Sequence, residues 1–332
     1  MMNKKISISI TTKIALGIIG GFIFALVMIP VLFVLVIRPV SDEDADVLIT
    51  DFDASEMEAI ENFYITVYRS ATSVFQTIEL ERYLIGVVAA EMPALFELDA
   101  LRAQAVAART YAVRILEHSD YILDTMMHQV FLDDDQLKAR WQDDFDIHFK
   151  KIEEAVTSTR GIVLKYDDDL IAPMFFAMSN GATENSEDVF DAARPYLRSV
   201  SSIGYEDHAS FAVSETFTLD ELREAFDDIT ITTDNMMVLS YSEGGNIAQM
   251  MIGARTYTGR EVREILGLRS AAFSISNRGR GITFTTYGHG HGVGMSQHGA
   301  NVMALQGYDY VEILTHFYQN VTLVEKNFTN DE

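Results

Sequence analysis

A chain of 332 residues, 48% of them hydrophobic, can bury a sizeable core, and one globular region of two lobes is expected. Its formal net charge of −24 argues against nucleic acid as a ligand, since a polyanion is repelled without a local basic patch and no Lys/Arg run is long enough to make one. With no cysteine in the chain, disulfides, thiol nucleophiles and cysteine-based zinc sites are excluded.

From Ile14 to Ile37 no residue is charged, and at about 1.5 Å per residue the run spans about 36 Å, enough to cross a bilayer. Residues 14–37 are therefore expected to form a transmembrane helix. A cleaved signal peptide is disfavoured because the run is long and no small-residue cleavage site follows it. Lys4, Lys5 and Lys13 precede the run and Asp42, Glu43, Asp44 and Asp46 follow it, which leaves residues 1–13 as a short cytoplasmic tail and everything after Arg38 outside the cell membrane. Residues 38–70 read as an acidic juxtamembrane stalk running into a first strand near Ile65–Ser70.

Two helices stand out next. Leu80, Leu84, Val87, Val88 and Glu91 share one helical face, and Pro93 ends that helix by forcing Met92 out of helical geometry. Asp99 is the expected N-cap of the second, in which Leu101, Ala105, Ala108, Ala112 and Ile115 keep the 3.6-residue period. Beyond a polar, Asp-rich stretch at 119–150, strands are expected at Gly161–Tyr166 and Ile171–Ala177, the latter entering the turn Ser179-Asn180-Gly181. Residues 205–279 change texture and read as an inserted lobe. It holds a hairpin around Gly244-Gly245 and a short helix between Thr258 and Gly267. A strand at Gly281–Thr286, the glycine-dense loop Gly288–Gly299, an amphipathic helix and a terminal strand follow. The core would then comprise residues 71–204 and 280–325, with a tail at 326–332, in an α+β fold of mixed helices and antiparallel strands.

Glu91 is a carboxylate on an apolar helix face at the negative end of the helix dipole. Desolvation and dipole both disfavour its ionised form, as a general acid requires, although a solvated or arginine-paired glutamate at a frayed helix end is the alternative. Arg102 and Arg109, seven residues apart, share a face that is either turned to a polar ligand or simply solvated. In the glycine-dense loop, His289, His291 and His298 lack the further ligand a strong metal site needs, and Gly294–His298 is an imperfect nucleophile elbow. That loop, like Ser179–Glu187, either admits a ligand close to the backbone or makes a tight structural turn.

The segments Leu80–Pro93 (LERYLIGVVAAEMP), Leu101–Tyr111 (LRAQAVAARTY), Ser179–Asp188 (SNGATENSED), Pro195–Arg198 (PYLR) and Gly290–Ala300 (GHGVGMSQHGA) together resemble the stage II sporulation protein D family. The resemblance implies a lytic transglycosylase, without a cofactor, that cuts between N-acetylmuramic acid and N-acetylglucosamine in peptide-stripped peptidoglycan strands. Glu91 would be its catalytic residue. Arg102, Arg109, Thr183, Tyr196 and Arg198 would bind the substrate or support the cleft around it, and His291, Ser296 and Gln297 would less directly line it. A non-catalytic glycan-binding scaffold is the rival reading. Some members carry a cysteine–histidine zinc site after the second helix; here only His118 and His128 stand nearby, so no structural zinc is expected and local packing would replace it. The implied partners are the glycan itself, a sporulation amidase (stage II sporulation protein P) and a membrane protein (stage II sporulation protein M), in the mother-cell membrane during engulfment.

Overall fold

The computed structural model describes residues 62–190, 192–277 and 281–328. The expected cytoplasmic tail, transmembrane helix and most of the stalk lie outside the described residues. Among those that are described, no helix is long and apolar enough to cross a membrane.

The first strands, β1 (Tyr64–Arg69) and β2 (Val74–Glu79), form an antiparallel hairpin that feeds directly into α1 (Leu80–Glu91). Glu79 caps that helix by accepting from the Arg82 N–H at 2.8 Å. Met92 is extended (φ −122°, ψ 139°), so the helix stops before Pro93 as expected. Helix α2 (Leu98–Leu116) begins earlier than its predicted cap: Asp99 lies inside the first turn, where its side chain pairs with Arg102 at 3.1 Å, and Glu97 takes the cap position. Ala100, Ala103, Ala105, Ala107, Ala108 and Ala112 are all buried, so α2 is surrounded by other elements and forms the axis of the main core.

Strand β3 (Ile122–Leu123) joins β1 in parallel. The Asp-rich stretch then folds as α3 (Asp134–Trp141) and the start of α4 (Phe145–Thr157). Helix α3 buries only Leu137, too little for a periodic apolar signal, but Asp133 and Gln136 form a reciprocal capping box that marks its start. Strand β4 (Ile162–Tyr166) pairs with β5 (Asp169–Leu170). Of the strand expected over Ile171–Ala177, only β6 (Phe175–Phe176) is strand; Pro173, which has no N–H to give a ladder, lies in the irregular part. A short α5 (Ser186–Val189) follows.

A second apolar cluster, from Leu222 to Phe284, sits among the next elements. These are β7 (Ala212–Phe217), α6 (Leu219–Ala225), β8 (Met236–Tyr241), β9 (Ile247–Ile252), β10 (Arg255–Tyr257), α7 (Gly259–Leu266), β11 (Phe273–Asn277) and β12 (Ile282–Tyr287). Two antiparallel sheets, ordered β10-β9-β8 and β11-β12-β7, frame it. Thr258 caps α7 with a capping box and Gly267 closes it at φ 67°, both at the positions read from sequence. The chain ends through β13 (Met295–Ser296), α8 (Gln297–Leu305), α9 (Tyr310–Phe317) and β14 (Thr322–Glu325), which pairs with β4. Mixed helices and mainly antiparallel strands make the fold α+β, as expected.

Candidate functional site

Glu91 is half-buried in the last turn of α1. Opposite it runs the segment 129–132, pinned by contacts to both long helices. Gln129 is buried between the Tyr83 hydroxyl of α1 at 3.4 Å and the Ala108 carbonyl of α2, to which its amide donates at 3.2 Å. Phe131 stacks on the Tyr83 ring with centroids 5.2 Å apart. This clamp aims the Val130 N–H at Glu91 Oε1, 3.3 Å away. Burial pushes the Glu91 carboxyl above its ordinary value, and the Val130 hydrogen bond offsets only part of that. No acidic side chain contributes to the shift among the described residues. Arg140, from the polar, Asp-rich stretch, donates instead to the Ala89 and Ala90 carbonyls at the end of α1, at 3.1 and 3.4 Å.

The clamp depends on Gly86. A β-carbon there would collide with the Leu132 carbonyl and the Phe131 ring. Glycine to alanine inside a helix ordinarily gains about 1 kcal/mol. Here backbone must move, and such overpacking costs about 1–3 kcal/mol, so Gly86→Ala should lower the thermal midpoint rather than raise it. An unchanged or higher midpoint in differential scanning calorimetry would contradict this.

Beyond Glu91 the chain docks on the start of α8. Phe96 meets the His298 ring edge-on at 5.0 Å, and the Glu97 N–H donates to Asn301 Oδ1 at 2.7 Å. His298 is held down to about 4, by burial first and then by His208, whose ring lies 4.9 Å away. The two glycine-bearing loops are knit to each other: the Glu184 N–H donates to the Gly292 carbonyl at 2.8 Å, and Met178 and His289 exchange backbone bonds of 3.0 and 2.7 Å. The glycines thus answer to the protein's own backbone. At Gly294 (φ 79°) a β-carbon would strike the Met174 carbonyl, and at Gly288 (φ 73°) it would lie 2.5 Å from the Met178 carbonyl.

Several residues expected to bind substrate or support its cleft have their polar groups engaged within the protein, as a supporting role requires. Arg109 is fully buried and uses all five donors: two on Glu81 at 2.9 and 2.5 Å, the others on Thr159 Oγ1 and on the Ile162 and Val156 carbonyls. It ties α1, α2 and the end of α4 together and has nothing left for a ligand. Arg102 does share its face, but that face meets the end of α4, where Nε donates to Ser158 Oγ at 3.0 Å. Thr183 is buried between the Arg198 carbonyl (3.1 Å) and the Val200 N–H (2.9 Å). The Tyr196 hydroxyl accepts from the Ala172 N–H at 3.0 Å and from Arg194 at 3.3 Å.

Ser296 is buried as the cap of α8, accepting from the Gly299 N–H at 3.1 Å, and buried Gln297 donates to Gln104 at 3.3 Å. Arg198 remains partly exposed in a bidentate pair with Glu187, whose carboxyl it holds down to about 2. His291 borders an open cleft of about 270 Å³ and is held down to about 4 by burial and then by Arg263. Sequence reasoning passed over Glu184. Its Oε1 accepts from Ser242 Oγ (2.9 Å) and the Asn246 N–H (3.0 Å), while Oε2 is buried with no partner among the described residues and burial raises the carboxyl. As one of three acids in the polar run Ser179–Asp188, it gave no periodic signal to single it out.

Residues 68–166, which contain Glu91 and its clamp, match the Stage II sporulation protein family model. Two proteins named Stage II sporulation protein D are similar to most of the chain. That of Bacillus amyloliquefaciens is 40% identical over 270 residues, 79% of this chain and 78% of its own length. That of Bacillus subtilis strain 168 is 40% identical over 271 residues, 79% of each. A protein named Amidase enhancer, also from Bacillus subtilis strain 168, is 27% identical over 295 residues, 72% of this chain and 40% of its own length.

Proposed function

Because the chain belongs to the stage II sporulation protein D family, we propose that it is a lytic transglycosylase of sporulation that cuts peptide-stripped peptidoglycan strands between N-acetylmuramic acid and N-acetylglucosamine. The observation that carries this reading is Glu91: a desolvated carboxyl with a raised pKa to which no acidic side chain among the described residues contributes. A retaining glycosidase holds a second carboxylate about 5 Å from the first, where like charge would raise the pKa further. One carboxyl suffices when the nucleophile belongs to the substrate. Glu91 gives its proton to the glycosidic oxygen as the bond to C1 of the muramoyl sugar breaks. The resulting carboxylate takes the proton of that sugar's C6 hydroxyl as its oxygen bonds to C1. The product ends in a 1,6-anhydro ring, no water is consumed, and Glu91 regains its proton.

The anchor is the apolar run 14–37, with residues 1–13 in the cytoplasm, everything after Arg38 outside the cell membrane, and the setting the mother-cell membrane during engulfment. The partners are the stage II sporulation amidase P and membrane protein M. The name Amidase enhancer of one relative supports a working association with an amidase. An amidase would also supply the stripped strands on which this reaction acts.

The test is product analysis by mass spectrometry after incubating peptide-free glycan strands with the full-length protein and with Glu91→Ala. Anhydro-muramoyl ends from the wild type alone are expected. Ordinary reducing ends, one water heavier, would make the protein a hydrolase. Glycan binding without cleavage by either form would make it a scaffold.

A further inference from the structure

The cleft beside His291 has a charge pattern at odds with the rest of the chain. It lies between α5, the β8–β9 hairpin and α7, and is bordered by Asp188, Phe190, Asn246, Arg260, Arg263 and His291. In a protein of net charge −24, arginines would be expected to find carboxylates readily. Arg260 does, pairing with Glu264 at 2.8 Å and donating to the Val189 carbonyl at 2.7 Å. Arg263 does not. Its Nε donates to the Leu268 carbonyl at 3.3 Å, and its two terminal nitrogens have neither a hydrogen-bond acceptor nor an ion pair among the described residues.

Arg269 adds a second cation without an ion pair among the described residues, bonded to the Ser210 carbonyl at 3.0 Å and to His289 Nδ1 at 3.2 Å. The field of these arginines is felt nearby: Arg263 helps hold His291 in its neutral form, and Arg269 and Arg263 do the same at His289, in each case after burial. Burial also disfavours the charge on Arg263 itself, and the Glu264 carboxylate, which is paired with Arg260, offsets only part of that. Of the acids at the cleft, Glu264 is committed to Arg260, and Asp188 accepts from the Asn185 amide at 3.3 Å.

We propose that this cleft is an anion subsite in which the free fork of Arg263 takes a carboxylate of peptidoglycan, the lactyl carboxylate of a muramoyl sugar. The proposal rests on the glycan reading above and deepens it. In peptide-bearing strands that carboxyl is tied up as an amide, neutral and attached to a chain. Once the stem peptide is removed it is a free anion of the size and charge a planar guanidinium pairs with. A subsite of this kind reads the stripped state of the strand directly, through residues other than the one that performs the chemistry. The stem peptide carries carboxylates too, so the sources must be separated by experiment.

Binding of N-acetylmuramic acid, its neutral methyl ester and a stem tripeptide to the full-length protein, followed by ligand-observed NMR, does this without requiring turnover. Wild type should prefer the acid over the ester by about tenfold, the size of one charge-assisted pair at a partly exposed site. Arg263→Gln should abolish the preference and Arg263→Lys should keep part of it, while Glu91→Gln leaves it unchanged. Equal binding of acid and ester, binding of neither, or a preference that survives Arg263→Gln overturns the proposal. Tighter binding of the tripeptide than of the sugar acid overturns the lactyl assignment. If the preference holds while no form cleaves glycan, the catalytic reading fails and the subsite stands.

Discussion

Arg109→Ala should destabilise the protein by about 3–5 kcal/mol, the range for removing one partner of a buried ion pair. Arg109 is fully buried and the Glu81 side chain is 7% exposed, so the variant leaves a carboxylate in the core with no counter-ion. The Thr159 hydroxyl and the Val156 and Ile162 carbonyls lose a donor at the same time. Against a total stability of about 5–15 kcal/mol, such a loss leaves a marginal fold. The partly exposed Arg198–Glu187 pair gives the contrast, because it sits in high dielectric and its loss should cost about 0–1 kcal/mol. Urea unfolding of Arg109→Ala, Arg198→Ala and the double variant Arg109→Met/Glu81→Leu separates the effects. The double variant, which removes both charges together, should recover most of what the single one loses. A loss below about 1 kcal/mol in Arg109→Ala would remove the argument that this arginine is structural.

What could be read in advance was what depends on neighbours in the chain. Pro93 ends α1, Thr258 and Gly267 bound α7, and the apolar face that carries Glu91 shows in its own helix. Arg109 shows where such reading stops. Read from its helix alone, it faced either a polar ligand or solvent. Its partner Glu81, however, is 28 residues away on another helix. A shared face with Arg102 was correct, but what that face meets is set by α4, which a stretch with one buried residue in α3 and many aspartates had concealed. The glycine-dense loop posed the same difficulty. Spacing alone cannot say whether a missing side chain makes room for a ligand or for backbone, and the backbone that fills the room at Gly288 and Gly294 belongs to residues 174–179, more than a hundred positions earlier.

Glu91→Gln should separate activity from stability. The amide oxygen can still accept from the Val130 N–H, and the side chain keeps its volume, so the clamp around it survives. Loss of a positioned acid should lower turnover by about 10²–10⁴-fold. Stability should move the other way, with a sign fixed by linkage. The folded protein holds the Glu91 proton more tightly than the unfolded chain does, because its carboxyl is raised above the ordinary 4.5. Below that value both states are protonated and the residue contributes no difference. As pH rises past it, the unfolded chain releases the proton first, so the wild type loses stability until the pH passes the raised folded value, and stays lower beyond it. The glutamine variant escapes that loss, and its stability relative to wild type should therefore grow as the pH rises past the ordinary carboxylate value and level once it passes the raised folded value. Activity of the wild type should fall over the same window, as the proton to be donated is lost. Parallel urea titrations and rate profiles against pH test both limbs. A variant that lost activity and stability together at neutral pH would make Glu91 a structural residue and would remove the ground for assigning it the proton transfer.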